Sequence, residues 1–347
     1  MDYFRPLPQN GVTRPPEALP LAGGWLWFDR VEVLRRDAPP EIRPATALPP
    51  EIRDRLTAPR APVAGVAMTA PSLMGIVNVT PDSFSDGGRY AQADAAIAHG
   101  RALAAAGAAI LDVGGESTRP GAVTVPGPEE TARIRPVIEG LAPVAPVSVD
   151  TRKATVARAA LAAGAQIVND VSAFTHDPAL AGVTADAGVP VCLMHTQGDP
   201  QTMQDDPRYD DVLLDVYDWL AERVAVAEAA GIPRARILVD PGIGFGKTEA
   251  HNLTLLRRLS LFHGLGCPLL LGVSRKRFIG RIGGPIHGSD RPEARMPGSV
   301  AVALAGVAQG AQVLRVHDVA ETAQALKLWQ AVTMVGTTSG TMEGEIA

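Results

Sequence analysis

From Ser72 onward, short apolar runs alternate with longer segments of helical periodicity. Apolar runs of this length, bounded by Gly, Pro, Asp or Asn, are typical of buried parallel strands. Strands are predicted at 73–78, 108–113, 145–149, 166–170, 190–194, 236–240, 268–273 and 311–315, and alanine-rich helices at 91–106, 153–163, 207–230, 249–262, 296–309 and 319–332. Eight strand–helix units over residues 71–335 match the length of a closed (β/α)8 TIM barrel, so we predict this α/β fold.

A doubly wound open sheet is the main alternative to a barrel. Its glycine-rich dinucleotide-binding motif is not convincing in this sequence. The segment Asp240–Thr248 is rich in glycine and ends in Gly-Lys-Thr, as a phosphate-binding loop does. However, Pro241 stands five residues before Gly246, where that loop requires glycine. The sequence therefore disfavours nucleotide binding at this segment.

The first 70 residues differ from the rest, because they hold 12 of the 30 prolines. Pro39-Pro40 and Pro49-Pro50 argue against a packed helix there. Trp25–Phe28 followed by Val31–Val33 predicts a short hairpin around 24–36. We predict a partly ordered, proline-rich N-terminal extension at 1–70, a barrel at 71–335 and a tail at 336–347. A disordered N-terminal tail is the alternative.

Composition excludes some classes of function. The net charge of −5 and the pI near 5.8 give no support to binding of nucleic acid or an anionic membrane. Cys192 and Cys267 lie in apolar runs, which predicts buried, reduced thiols and a cytoplasmic protein. No apolar stretch is long enough to span a membrane, and the first residues lack the features of a signal peptide.

Two polar, glycine-rich loops follow predicted strands, at Gly75–Gly88 and Asp112–Gly121. The first carries Asn78, Thr80, Asp82, Ser83, Ser85 and Asp86, and the second carries Asp112, Glu116, Ser117, Thr118 and Arg119. Many oxygen donors with one guanidinium suit an anionic substrate bound with a hard metal ion. Two ordinary strand–helix turns are the alternative interpretation.

The carboxyl ends of all barrel strands meet on one face, so polar residues from early and late strands can share a pocket. Asp112, Asp150, Asn169 and Asp240 would form a group rich in hydrogen-bond acceptors. Arg119, Arg315, His317 and Asn78 would form a group that faces an anion. A helix N-cap is the alternative role for each Asp, and Asp150 fits this role best because it precedes a predicted helix.

These segments resemble the signature segments of the dihydropteroate synthases, which are folate-pathway transferases of the pterin-binding family. The resemblance covers roughly Ser72 to Val335 and continues in Ser148–Thr151, Asn169-Asp170, Met194-His195, Asp240–Lys247, Gly272–Lys276 and Arg315–His317. It implies condensation of 6-hydroxymethyl-7,8-dihydropterin diphosphate with 4-aminobenzoate to 7,8-dihydropteroate, with release of pyrophosphate. It also implies Mg²⁺ as cofactor, sulfonamides as inhibitors and a homodimer.

The resemblance also implies roles for individual residues. The implied pterin-binding residues are Thr118, Asp150, Asn169, Met194, Asp240, Phe245 and Lys276, with Asp240 as the bidentate anchor. The implied diphosphate-binding residues are Asn78, Thr118, Arg119, Arg315 and His317, and Asn78 is also the implied metal ligand. Phe84, Pro120 and Ser274 are expected to contact 4-aminobenzoate, with Lys276 near them. Asp112, Asp150 and Lys276 are the implied catalytic residues.

Two other functions are compatible with these sequence segments. A pterin-using methyltransferase of the same barrel superfamily would share the acceptor-rich pocket, but it would not need Asn78–Phe84 or Ser274–Lys276. A catalytically silent pterin-binding or scaffold protein could use the proline-rich segment to bind a partner. Pyrophosphate release from pterin diphosphate and 4-aminobenzoate would separate both from a synthase.

Overall fold

The computed structural model of the chain describes residues 1–79, 89–117, 121–198, 202–286, 289 and 291–333. Its strands are β1 (Tyr3–Pro6), β2 (Leu19–Pro20), β3 (Trp27–Phe28), β4 (Arg30–Leu34), β5 (Glu41–Pro44), β6 (Ser72–Asn78), β7 (Ile110–Gly114), β8 (Val147–Asp150), β9 (Ile167–Asp170), β10 (Val191–Met194), β11 (Ile237–Asp240), β12 (Leu270–Leu271) and β13 (Val313–Val316). Its helices are α1 (Pro50–Thr57), α2 (Arg89–Ala105), α3 (Gly127–Leu141), α4 (Ala154–Ala162), α5 (Ala179–Ala187), α6 (Val212–Ala229), α7 (Glu249–Arg257), α8 (Arg277–Gly283), α9 (Met296–Val307) and α10 (Val319–Thr333).

Strands β6 to β13 form one parallel sheet in the order β11-β10-β9-β8-β7-β6-β13-β12. A parallel bridge between Val239 of β11 and Leu269, next to β12, joins the two ends of this sheet. The sheet is therefore a closed barrel of eight strands surrounded by helices, which confirms the predicted fold class and all eight predicted strands. Strand ends from distant parts of the sequence consequently meet at one mouth.

Three helices complete the ring in places where no helix was predicted, namely α3, α5 and α8. Two predicted helices differ from the observed ones by more than two residues at one end. Helix α6 begins later than expected, because the side chain of Asp211 caps it by accepting hydrogen bonds from the amides of Leu213 and Leu214. Helix α7 ends at Arg257 and is followed by a 3-10 helix at Leu259–Leu265.

The N-terminal residues form their own small sheets against the outside of the barrel. Strands β1, β4 and β5 form an antiparallel sheet, and β2 pairs with β3. The predicted hairpin around 24–36 is wrong, because β3 and β4 pair with different partners. The expectation of no helix at Pro49-Pro50 is also wrong, since Pro50 is at the first turn of α1, where its fixed φ suits a helix and no hydrogen bond is lost.

Polar contacts as well as apolar packing hold this N-terminal region to the barrel. The Tyr3 hydroxyl donates to Asp218 of α6 at 2.8 Å, and the Ser260 hydroxyl donates to the Pro6 carbonyl at 2.8 Å. The Trp25 indole N–H donates to the carbonyl of Val307 at the end of α9, at 3.2 Å. The extension is thus packed on the barrel rather than detached from it.

The segment 63–68, which we call the barrel plug, lies within the predicted extension yet packs inside the barrel. Val63 and Met68 are almost fully buried and belong to the apolar cluster formed by the amino-terminal parts of the barrel strands. That cluster contains Met74, Ile110, Ile167, Cys192, Leu238, Leu270 and Val313. The plug therefore closes the end of the barrel opposite the mouth.

Both cysteines, Cys192 and Cys267, are free and buried. Among the helices of the described residues, none combines the length and the apolar character needed to cross a bilayer.

Candidate active site

A cavity of about 1270 Å³ opens at the mouth of the barrel, where the carboxyl ends of the strands meet. Predicted site residues from most of the strand ends line it: Asn78, Asp150, Asn169, Met194, Asp240, Phe245, Ser274, Lys276, Arg315 and His317. Phe84, Thr118, Arg119 and Pro120 lie outside the described residues. The fold thus brings together the described residues that were expected to bind pterin and diphosphate.

Three charged side chains from β7, β8 and β13 form the centre of the site. The Arg315 guanidinium donates through Nε to Asp112 Oδ2 at 2.6 Å and through Nη2 to Asp150 Oδ2 at 2.8 Å. The Asn169 side-chain amide also donates to Asp112, at 3.2 Å. Asp112 is fully buried beneath these groups and is not part of the cavity wall. The two groups expected from sequence are therefore not separate, because Arg315 joins the acceptor-rich group.

Asp150 retains an acceptor for a ligand. Its Oδ1 atom is buried and makes no hydrogen bond within the described residues, while Oδ2 is bound to Arg315. Burial raises the pKa of Asp150 to about 7, against the opposing effect of Arg315. A buried acceptor without a partner is unfavourable, so a ligand that donates a hydrogen bond here would be favoured.

Asp240 ends β11 and lies at the base of the cavity. Its Oδ1 accepts the backbone N–H of Gly242 at 2.7 Å, which orients the carboxylate. Burial raises its pKa to about 6, although this hydrogen bond and the charge of Lys276 oppose the shift. Gly242 has φ +67, and a Cβ atom there would lie 1.9 Å from the carbonyl oxygen of His195. Only glycine therefore permits this turn.

Lys247 maintains the shape of the loop that follows Asp240. Its ammonium contacts His195 Nδ1 at 2.8 Å and donates to the carbonyls of Gly242 at 3.0 Å and Phe245 at 2.9 Å. Burial lowers the pKa of Lys247 well below its ordinary value. The loop so held presents the Phe245 ring to the cavity, where the Lys276 ammonium lies 4.0 Å from the ring centroid.

The loops after β12 and β13 meet at the other side of the mouth. The Ser274 hydroxyl accepts the backbone N–H of His317 at 3.2 Å and lies 3.0 Å from His317 Nδ1. Asn78 ends β6 and reaches the same cavity, and its side-chain amide makes no hydrogen bond within the described residues. Asn78, Ser274 and His317 therefore line the same cavity as Asp150 and Asp240.

Four residues with clear structural roles had no assigned role at the sequence level: His195, Lys247, Arg275 and Asp318. His195 and Lys247 stand in recognised motifs, so their positions were conspicuous. Their function as a buried hydrogen-bonded pair depends on a contact across 52 positions. Local sequence patterns carry no signal for such a contact.

Residues 74–317 match the sequence profile of the family described as Pterin binding enzyme. The dihydropteroate synthase of Escherichia coli K12 is 46% identical to the chain over 266 residues, which are 76% of this chain and 92% of that protein.

Solved structures agree with this similarity. The dihydropteroate synthase of Xanthomonas albilineans with 4-aminobenzoic acid is 51% identical, with a TM-score of 0.74 over 80% of this chain and 99% of that chain. The Yersinia pestis dihydropteroate synthase in a sulfonamide drug complex is 43% identical, with a TM-score of 0.73 over 79% of this chain and 98% of that chain.

Proposed function

The chain belongs to the pterin-binding enzyme family, and we propose that its barrel mouth carries out the dihydropteroate synthase reaction with the residues described above. The reaction is a group transfer from 6-hydroxymethyl-7,8-dihydropterin diphosphate to 4-aminobenzoate. It yields 7,8-dihydropteroate and pyrophosphate for folate biosynthesis.

The observation that carries this assignment is the set of buried acceptors at the base of the cavity. A pterin presents an amino group and ring N–H groups along one edge. Asp240 can accept from that edge, while Asp150 Oδ1 offers an acceptor that none of the described residues fills. Hydrogen bonds to ionised acceptors are the stronger class, and an analogue without the donors would leave these groups unpaired. The site therefore selects a flat, donor-bearing ring.

The chemistry proposed is a loose substitution at the pterin methylene carbon. The bond from this carbon to the diphosphate oxygen breaks, and the diphosphate keeps the electron pair. The amine nitrogen of 4-aminobenzoate then bonds to the carbon and loses a proton. The positive charge that develops on the pterin is stabilised by the carboxylates of Asp112 and Asp150. Lys276 binds the pterin ring from the side of Phe245.

Arg315 and His317 are proposed to bind the diphosphate, together with Arg119 and Thr118. Asn78 fits a magnesium site, because its amide oxygen is uncommitted among the described groups and Mg²⁺ takes few protein ligands when phosphate oxygens and waters supply the others. When bound, the ion would neutralise charge on the departing diphosphate. The described residues contain no cluster of three or more His, Cys, Asp or Glu that could hold a metal by itself.

The second substrate is proposed to contact Phe84, Pro120 and Ser274. Sulfonamides would compete there, because they share the shape of 4-aminobenzoate. Binding is proposed to be ordered, with pterin diphosphate first. The homodimer and the cytoplasmic location stay predictions.

Pyrophosphate release tests the function directly. The purified chain is mixed with pterin diphosphate, 4-aminobenzoate and Mg²⁺, and pyrophosphate and dihydropteroate are measured together. Equal amounts of both products are expected, and omission of either substrate or addition of a chelator should stop the reaction. Tight pterin binding without either product would indicate a binding protein instead.

A further inference from the structure

Two neighbouring loops at the barrel mouth carry the groups assigned to different parts of one substrate. Strand β12 is followed by Ser274, Arg275 and Lys276, and β13 leads into His317 and Asp318. The strands are parallel neighbours in the barrel. Lys276 is assigned to the pterin and His317 to the diphosphate, so the spacing of the two loops matters for a ligand that touches both.

An ion pair joins these loops. Arg275 donates to Asp318 through Nε at 3.1 Å and through Nη2 at 2.6 Å, which makes the contact bidentate. The side chains of Arg275 and Asp318 are 23% and 14% exposed. A third contact runs from Arg275 Nη1 to Glu293 at 3.3 Å. Bidentate pairs of this kind determine geometry as well as adding binding energy.

The backbone of Arg275 is held in an unusual conformation. Its φ is +60, in the left-handed region that L-residues rarely adopt. The Arg275 N–H donates to the Ser299 hydroxyl at 2.8 Å, and the Arg295 guanidinium donates to the Arg275 carbonyl at 3.1 Å. Such strain persists where the surroundings over-determine it, and it is frequent at ligand-binding sites. Here it turns the chain so that Ser274 and Lys276 face the cavity, while the Arg275 side chain points to Asp318.

A second link lies beside the ion pair, namely the contact of Ser274 with His317. Both residues of that contact are already assigned to substrates. The Arg275–Asp318 pair is not part of the cavity's substrate-binding groups, although Arg275 reaches its wall.

We propose that Arg275 and Asp318 are positioning residues that fix the distance between Lys276 and His317, so that one ligand can bind to both loops at once. This inference rests on the proposed function, which places pterin and diphosphate on these loops. Neither residue touches a reacting atom. A fixed spacing favours a ligand that contacts both loops. Once such a ligand has bound one loop, its contact with the other loop forms without any further loss of conformational freedom in the loops. The separate pieces, bare pterin alcohol and pyrophosphate, gain nothing from it.

The test compares three ligands on each variant by calorimetry: pterin diphosphate with Mg²⁺, hydroxymethyl pterin, and pyrophosphate with Mg²⁺. Arg275→Gly keeps the left-handed turn and removes the guanidinium, and Asp318→Asn removes the charge of its partner. We expect pterin diphosphate to bind about 10-fold more weakly to either variant. The two fragments should change by less than about 2-fold, since each touches one loop.

Arg234→Gly is the matched control. Arg234 makes the same kind of bidentate pair with Glu228, at 2.9 and 2.6 Å, but it precedes β11 and so lies toward the far end of the barrel. The Arg234→Gly variant should bind all three ligands with the same affinity as the unmodified protein. The double variant Arg275→Gly/Asp318→Asn should lose no more affinity than either single variant, because one link is removed in each case.

Several results would overturn the positioning role: unchanged affinity in both single variants, equal weakening of fragments and intact substrate, or additive losses in the double variant. Thermal melting of each variant shows whether it is folded. If Arg275→Gly does not fold, Asp318→Asn and Arg275→Lys answer the same question. Failure of the unmodified protein to bind pterin diphosphate would instead contradict the proposed function.

Discussion

Replacing Arg315 by Met should destabilise the ligand-free protein, and the loss should grow with pH. Arg315 holds Asp112 at 2.6 Å and Asp150 at 2.8 Å, and these two residues are 0% and 6% exposed. Methionine fills similar apolar space but cannot neutralise either group. The variant would leave two carboxyl groups in the barrel without their cation.

The magnitude follows from this burial. Removing one partner of a buried ion pair costs about 3–5 kcal/mol, because the remaining charge is uncompensated. A domain of ordinary stability has roughly 5–15 kcal/mol in total. The Arg315→Met variant should therefore still be folded at pH 8, but with a free energy of unfolding close to zero.

The pH dependence comes from Asp150. Its pKa is raised from 3.8 to about 7 in the folded protein, so the folded state binds this proton more tightly than the unfolded state. Stability from this group is present below pH 3.8 and is lost as the pH rises through about 7. Arg315 opposes the shift, so its removal raises the pKa further. The difference between variant and unmodified protein should be smaller at pH 5.5 than at pH 8.

Urea denaturation at both pH values measures these free energies. Arg234→Met is the control, since the Arg234 and Glu228 side chains are 37% and 36% exposed and their pair should contribute less than about 1 kcal/mol. An Arg315→Met variant that loses the same stability at both pH values, or no more than the control, would refute the electrostatic argument.

Further predictions concern binding and architecture. Asp240→Asn should weaken pterin binding by several kcal/mol, because it removes roughly one charge-assisted hydrogen bond and leaves one donor unpaired. Near-normal pterin affinity by calorimetry would reject the role of Asp240 as anchor. Gly242→Ala should abolish pterin binding because its Cβ would meet the His195 carbonyl at 1.9 Å, whereas Gly182→Ala, at an open position in α5, should stabilise the protein by about 0.5–1 kcal/mol. Deleting residues 1–70 should lower the melting temperature more than deleting residues 1–57, because the shorter deletion leaves the barrel plug in place. Equal melting temperatures for the two deletions would show that the plug does not stabilise the barrel. Pyrophosphate with Mg²⁺ should tighten 4-aminobenzoate binding, and equal affinity without them would argue against ordered binding.

Local sequence patterns predicted most of the barrel. Each barrel strand is buried on both faces, by the surrounding helices on one side and by the barrel interior on the other. Such a strand is apolar along most of its length, so it can be recognised from its own residues. Polar residues after those runs, such as Asn78, Asp150 and Asp240, were correctly expected near one another because parallel strands all end at the same face. The start of α6 and the whole of α1 were missed, since they depend on capping and on one favourable proline position.

The pairing of charged and polar side chains, by contrast, was decided by the tertiary structure. Arg315 lies 203 positions from Asp112, and only the order of strands around the closed barrel brings the two side chains together. The burial that raises the pKa of Asp150 and lowers that of Lys247 also arises from residues distant in sequence. The sequence by itself determined the eight barrel strands, most of the barrel helices and the chemical groups that stand at the strand ends. The folded barrel determined which of those groups pair, because charge pairing and desolvation depend on distances between strands that no local pattern encodes.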